Sequence, residues 1–285
     1  MKNLADKFKL ANNNMRAIRI IRKLHWKGKI ACPHCGCVNN ITTHSIMKSG
    51  TKRYFCSNCE KTFSDLTGTI FSKTKIPLWK WIYALIILFE STGCISAAEL
   101  SRSIQISYPT AWNMLRRLRR ILSNEQYKGK LKGVIESDEA WISHKKNQQV
   151  VMGMVERNGK VKIFPIIDRT EISLYAPHLL HVKAGSMVCT DSLPSYNSLN
   201  IRYIHHAVNH SIGEFKRNHI WTNTIESVWS QLKGILRTIH HGVKHQYIFD
   251  YCSLFAFKYN IRKLSLENKL ATLINILCQP RYCLY

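Results

Sequence analysis

The chain predicts an α/β domain preceded by two small modules, and three features carry that expectation. Two Cys-x-x-Cys knuckles stand near the start, with 20 residues between Cys35 and Cys56. A helical period runs from about Pro77 to Ser123, and β-formers alternate with helical stretches from about residue 130 onward. The boundaries expected are a basic helix over 1–30, a cysteine-bearing module over 31–70, a helical region over 76–125, the α/β domain over 130–263 and a helical tail over 264–285.

Forty-two basic residues face 17 acidic ones, a formal charge of +25. A molecule so charged repels itself unless it meets a polyanion, so nucleic acid is the partner expected. Basic residues recur in every segment beside tryptophans and tyrosines, which weighs against a merely basic soluble protein. An anionic membrane surface is the lesser alternative: the longest apolar stretch, Trp81 to Phe89, is too short to span a bilayer. The first residues, MKNLADKFKLANNN, lack the apolar core of a secretion signal. The expected compartment is the reducing cytoplasm, where cysteines serve metals more often than disulfides.

Residues 1–30 alternate Ala17, Ile18, Ile21 and Leu24 with Arg16, Arg19, Arg22 and Lys23, a basic amphipathic helix that could lie on DNA or pack on a neighbour. Next, Cys32, Cys35, Cys56 and Cys59 have the spacing of a tetrahedral four-sulfur zinc site, and a module this short has little core without metal. A zinc ribbon is expected. Cys37 is a spare, and His34, which could replace a sulfur, lies between the ligands of the first knuckle and is expected to point away. Cys94, Cys189, Cys252, Cys278 and Cys283 show no ligand spacing and are expected as small buried hydrophobes. No metal is expected at His205, His206, His210, His240 or His241.

In ISAAELSRSIQISYPTAWNMLRRLRR, two short helices meet at a turn, with Ser96 and Ser107 as N-caps. The pattern is that of a helix-turn-helix, with an ordinary helical hairpin as the alternative. Arg116, Arg117, Arg119 and Arg120 favour DNA, through phosphate contacts rather than base reading.

Then VIESDEAWI, QQVVMGMVERNG and KVKIFPIID read as three antiparallel strands, the last two joined at Asn158-Gly159. A helical stretch EISLYAPHLLHV, the run SMVCTD, a polar turn, RYIHHAV and a helix from about Thr222 to His240 follow. Strand, hairpin, helix, strand, helix, strand, helix is the order of an RNase H-like domain. Three acids fall on this frame: Asp138 in the first strand, Asp191 ending another, and Glu226 on an amphipathic helix, seven residues before Lys233. Strand alternation puts Glu136 and Asp138 on one face and Ser137 and Glu139 on the other. Asp138 is the leading ligand and Glu136 the alternative. Glu226, Trp229, Ser230 and Lys233 share one helical stripe. Three carboxylates can hold two magnesium ions, which prefer a few carboxylates plus water and phosphate oxygens.

The ribbon, the helix-turn-helix, D-E-x-W/Y at 138–141, T-D-S-x-x-S-Y at 190–196, V-N-H-S at 208–211 and H-x-x-T-N-x-I-E-x-x-W-x-x-x-K at 219–233 together resemble the bacterial insertion-sequence transposases of the DDE class that carry an N-terminal zinc ribbon. The resemblance covers nearly the whole chain. It implies Asp138, Asp191 and Glu226 as the catalytic carboxylates, Lys233 as an additional basic catalytic residue that contacts phosphate, and Asn223 as a DNA-facing motif position. It further implies a nuclease and strand transferase acting on terminal inverted repeats and target DNA, with a homo-oligomer formed at synapsis. One departure stands out: relatives often place glycines where this chain continues Ile142-Ser143-His144-Lys145-Lys146. The rival expectations are a non-catalytic DNA-binding regulator and a cellular nuclease of the same fold.

Overall fold

The computed structural model describes residues 13–91, 93–142, 148–209, 212–213 and 216–279; His210, Cys283, residues 143–146 of the departing loop and the first twelve residues lie outside them. Two compact units are present, one holding residues up to Ile121 together with those from Leu264, the other Leu122–Lys263.

In the first unit, helix α1 (Asn14–Trp26) is capped by the Asn13 side chain, which accepts the Met15 N–H, and it buries Ala17, Ile18, Ile21 and Trp26. Of the two roles open to this helix, packing is the one its apolar stripe takes. Strands β1 (Ile41–Ile46), β2 (Lys52–Cys56) and β3 (Lys61–Ser64) form an antiparallel sheet in that order. Its core is small, with Trp26, Cys32, Tyr54, Cys56 and Phe63 at its centre.

What ties α1 to the sheet is Asp65, fully buried. Arg22 reaches it with Nε at 2.9 Å and Nη2 at 2.7 Å, the Lys52 N–H at 2.7 Å, the Tyr54 hydroxyl at 2.9 Å and the Trp26 indole N–H at 3.3 Å. Burial alone would raise its carboxyl, but the Arg22 guanidinium with the Lys52 and Tyr54 donors holds it below the usual carboxylate range.

Helix α2 (Leu78–Glu90) contains the longest apolar stretch and is buried on most sides. Helices α3 (Ala97–Ile104) and α4 (Tyr108–Glu125) follow, joined through a left-handed Gln105, and Ser96 caps α3 by accepting the Glu99 N–H. No described helix is long and apolar enough to cross a membrane.

The second unit is built on a five-stranded mixed sheet. Strands β4 (Val134–Ile142), β5 (Gln149–Glu156) and β6 (Val161–Pro165) run antiparallel, with Asn158 in the left-handed region at the β5–β6 turn. Helix α5 (Glu171–His181), strand β7 (Met187–Asp191), a 3-10 segment (Pro194–Ile201) and strand β8 (Ile204–Val208) follow. β7 and β8 continue the sheet in parallel, giving the order β6-β5-β4-β7-β8. A short hairpin, β9 (Lys216–Arg217) and β10 (Ile220–Trp221), which the sequence did not announce, leads into helix α6 (Asn223–Thr238) and then α7 (Ile248–Asn260). One sheet face packs on α6 and α7 through Val151, Val155, Ile163, Ile225 and Phe255. The other packs on α5 and the 3-10 segment through Ile135, Met152, Leu174, Val188 and Tyr196. The last helix, α8 (Leu266–Leu277), belongs to the first unit, where it packs on α1 and α2.

Replacing Asp65 by Ala leaves five donors without their acceptor and the Arg22 charge without its partner. The expected loss is about 3 kcal/mol of stability in the first unit, measured by denaturant unfolding followed through Trp26; a loss below about 1 kcal/mol, the range of an exposed pair, would show that Asp65 does not hold α1 in place.

Candidate active site and metal centre

Strand β4 sends its side chains alternately to two faces, and that division builds the site. Glu136 and Asp138 engage α6, while Ser137 and Glu139 engage α5 and the 3-10 segment. On the far face the Ser137 hydroxyl lies 3.0 Å from His178 Nε2. Burial pushes His178 down to about 4, and with its Nδ1 2.8 Å from the Leu174 carbonyl the ring is a neutral acceptor for Ser137. Glu139 is held by Arg169 and by the Tyr196 hydroxyl, which donates at 2.6 Å.

On the near face Glu136 is fully buried. Its Oε2 accepts the N–H groups of Thr224 (2.7 Å) and Ile225 (3.2 Å), and its Oε1 accepts the Thr224 hydroxyl (2.9 Å) and Arg157 Nε (2.7 Å). The carboxylate therefore sits at the N-terminus of α6, where unsatisfied N–H groups and the helix dipole favour a negative charge. Arg157 in turn donates to the carbonyls of His219 and Trp221 and stacks 3.6 Å over the Trp221 ring. Four donors fill the positions a carboxylate offers, so Glu136, the alternative ligand suggested by alternation, seats the helix instead. Neither Arg157 nor this role was signalled by any sequence motif.

Asp138 stands two residues further along the same face. The β4–β7 register pairs Glu136 with Cys189, so two residues on in each strand come Asp138 and Asp191, at the edge where that ladder ends. Such a carboxyl edge is where α/β sheets hold ligands. The Trp229 indole N–H donates to Asp138 Oδ2 at 3.0 Å. Burial pushes the Asp138 carboxyl up to about 7, and the charges of Glu139 and Asp191 push it the same way. Gly153 faces Asp138 on β5, and a Cβ there would meet the Trp229 ring at 2.6 Å and Ile225 Cδ1 at 2.8 Å. The absence of a side chain at Gly153 lets the indole lie across the sheet.

Asp191 is half-buried, and its Oδ1 accepts the Leu193 N–H at 3.1 Å. Glu226 is exposed in the first turn of α6 and accepts the Thr222 hydroxyl at 3.0 Å. It precedes Trp229 by three residues, so the helix side that reaches Asp138 also carries Glu226. Lys233 lies exposed two turns further on, and Asn223 opens the helix, also exposed. The three acids do not close to ligand spacing: among the described residues only Cys32, Cys35, Cys56 and Cys59 bring at least three ligand atoms within 4.8 Å of one another.

Those four sulfurs approach in pairs, Cys32 to Cys59 at 3.6 Å and Cys35 to Cys56 at 3.7 Å. A tetrahedron with metal–sulfur bonds of about 2.3 Å has edges of about 3.8 Å, so the four can hold one zinc-sized ion. Cys37 stands apart, donating to the Asn39 carbonyl. Cys94, Cys189, Cys252 and Cys278 are buried. His205 lies 2.9 Å from the Thr190 hydroxyl, and His240 packs on the Tyr251 ring. In α4 the arginines diverge. Arg119 is buried, Arg117 Nη2 donates to the Ile70 carbonyl, Arg116 lies 5.3 Å from the Trp112 ring centre, and Arg120 is exposed.

Residues 130–260 match the ISXO2-like transposase domain. Over 91% of the chain, the sequence is 23% identical to an uncharacterized protein in transposable element ISH50 of Halobacterium salinarum, of which the match covers 95%. Among solved structures, the HTLV-2 integrase catalytic core domain in complex with magnesium matches at 16% identity with a TM-score of 0.28, over 52% of this chain and 86% of that one. A simian T-cell lymphotropic virus intasome in complex with the PP2A regulatory subunit B56 gamma matches at 17% identity and the same TM-score, over 67% of this chain and 66% of that one.

Burial, with the charges of Glu139 and Asp191, pushes the Asp138 carboxyl from its ordinary 3.8 up to about 7. Between those values the folded chain keeps a proton the unfolded chain has released, so stability falls as pH rises through that window. Asp138→Asn is therefore expected to raise the melting temperature at pH 8 in EDTA, by an amount that shrinks toward pH 4; an unchanged or lower value at pH 8 would show that this carboxylate is not strained. Gly153→Ala is expected to lose about 1–3 kcal/mol by overpacking and to cancel the pH dependence of that Asp138→Asn effect, because Trp229 no longer closes the site; wild-type unfolding free energy would show the glycine to be incidental.

Proposed function

We propose that this chain, whose residues 130–260 match the ISXO2-like transposase domain, is a DDE-class insertion-sequence transposase that cleaves DNA at the terminal inverted repeats of its element and joins the freed end to target DNA. The observation that supports the reading is that Asp138 and Asp191 follow the end of the β4–β7 ladder, with the charge of Asp191 acting on the Asp138 carboxyl, next to the helix that carries Glu226 and is seated by Glu136. The sheet order β6-β5-β4-β7-β8, with three antiparallel strands followed by two parallel ones, supports an RNase H-like domain. The ISH50 protein, matched over nearly its whole length, supports an insertion-sequence origin.

Asp138, Asp191 and Glu226 would hold two magnesium ions. When bound, these ions supply Lewis-acid stabilisation of the attacking and leaving oxygens of an in-line displacement. The donor set fits: Asp138 is a half-buried carboxylate raised first by loss of water and then by the negative charges of Glu139 and Asp191, which a cation would offset. Lys233 would hold a phosphate near the scissile bond. Trp229 fixes the Asp138 rotamer and keeps water from that side of the carboxylate. Both displacements, by water and then by the freed 3′-hydroxyl, proceed without a covalent protein intermediate, so no activated serine or tyrosine is required.

Cys32, Cys35, Cys56 and Cys59 would bind structural zinc in a ribbon, and α3–α4 would act as the helix-turn-helix, holding the repeat through charge-dominated phosphate contacts. Asn223, Arg117 and Arg120 are the exposed members of the DNA-facing set, whereas Arg119 acts within the helical unit. Pairing two element ends calls for a homo-oligomer on double-stranded DNA, in the cytoplasm where that DNA lies.

The test is a magnesium-dependent strand-transfer assay with a labelled element end and a plasmid target, alongside Asp191→Asn. Joined product from the wild-type chain and at least a ~100-fold loss in the variant are expected for removal of a metal ligand. DNA bound but neither cut nor joined by the wild-type protein would make it a DNA-binding regulator, and cutting without joining would make it a nuclease.

A further inference from the structure

Helix α5 turns an apolar side to solvent as well as to the core. Leu174, His178 and His181 are its buried positions. Ile172, Ala176 and Leu180, at successive intervals of one turn, form an exposed stripe on the other side, with Leu179 half-buried at its margin. Ile172 is 81% exposed, Leu180 64%, and Ile167, just ahead of the helix, 94%. Between Glu171 and Lys183 the sequence holds no Asp, Glu, Lys or Arg. In a chain with 42 basic and 17 acidic residues, such a helix stands out. A helix that is apolar all round is one that a further surface covers.

The charges at the two ends select the cover. Asp168 and Glu171 make the N-terminal end acidic, and Lys183 and Lys130, whose Nζ donates to the Leu179 carbonyl at 2.8 Å, make the C-terminal end basic. All four are exposed, and among the described residues none of them has an ion-pair partner. A face with an acidic start, an uncharged apolar middle and a basic finish is complementary to itself when reversed. We infer that a second copy of the chain packs here, with the two α5 helices antiparallel about a two-fold axis near Ala176. Ile172 of one copy then meets Leu180 of the other, the small Ala176 side chains let the helices approach, and each acidic end lies against a basic one. DNA does not fit a stripe without cations along its length. An 11-residue helix is about 16 Å long, so the interface is small and the dimer weak. The inference deepens the proposed reading, which calls for a homo-oligomer, by giving that oligomer a surface. Because α5 packs on the sheet face opposite α6, pairing leaves Glu226 and Lys233 uncovered.

The test is sedimentation velocity of the full-length protein, without DNA or added magnesium, from about 1 to about 100 μM in about 0.15 M salt, where charges more than ~8 Å apart are screened. The wild-type chain is expected to pass from monomer to dimer across that range. Leu180→Gln should weaken the dimer at least about tenfold, since the two-fold axis repeats the lost apolar contact, and Leu180→Met should retain it. Glu171→Lys and Lys183→Glu should each weaken association, and the double variant should restore it, because acid and base have exchanged places. Net charge alone would instead make Lys183→Glu associate more strongly in a chain of +25. Opposite effects of the two single variants would therefore overturn the inference, as would a wild-type monomer throughout or a dimer indifferent to Leu180→Gln. Melting temperatures check that each variant is folded; a monomer that Leu180→Gln destabilises would assign the face to another part of the same chain and overturn the inference as well. Association is read without the reaction, so a monomer that joins strands overturns this inference alone, and a dimer that joins none overturns only the transferase reading.

Discussion

The buried ion pair of Glu136 and Arg157 is the constraint on which the second unit depends. Removing two charges from water is costly, and a buried pair holds together only when its remaining hydrogen-bond sites are also filled. Here they are: Glu136 accepts four donors, and Arg157 distributes its own among Glu136 and the carbonyls of His219 and Trp221. The pair joins β4, the β5 end, the short hairpin and the first turn of α6, elements far apart in sequence. Losing either partner would leave one charge buried alone, so the helix that carries Glu226, Trp229 and Lys233 is held in one position rather than in several of similar energy.

Four consecutive residues of β4 then show how one strand separates stability from chemistry. Glu136 seats a helix, Ser137 bonds a neutral histidine, and Glu139 is neutralised by Arg169 and Tyr196. Asp138 instead accepts the Trp229 indole N–H and has the like charges of Glu139 and Asp191 nearby. Burial and those charges make the fold resist its ionisation. Groups strained in this way concentrate at functional sites, because the ligand that relieves the strain gains the corresponding binding energy.

Much of this was legible in the sequence. The cysteine spacing gave the four-sulfur cluster, alternation in VIESDEAWI gave the two faces, and the helical stripe gave the alignment of Glu226 with Trp229. What remained illegible follows from contacts between residues distant in the chain. No local pattern tells a carboxylate that ligates from one that caps a helix about ninety positions later, so alternation left Glu136 standing as an alternative to Asp138. Arg119 sits in a run of arginines, and only tertiary packing decides that its side chain turns inward. Nothing in the strand QQVVMGMVERNG marks Gly153, whose value appears only once Trp229 lies against it. The placement of α8 in the first unit is likewise set by packing across the full length of the chain.

The distribution of acids completes the electrostatic argument. The chain has 17 acidic residues against 42 basic ones, and Asp65, Glu136, Asp138 and Glu139 all sit in the interior or nearly so. The surface is therefore more cationic than the net charge alone conveys, and the edge at Asp138 and Asp191 is a negative patch set within a positive body. A phosphate drawn in by the surface charge would be repelled at that patch while it stays uncompensated. On the proposed reading, a divalent cation that relieves Asp138 also removes this last barrier, so metal binding and DNA engagement favour each other by the same free energy in both directions. The strain at one carboxylate and the charge spread over the whole surface then act together, so that metal and phosphate each strengthen the binding of the other.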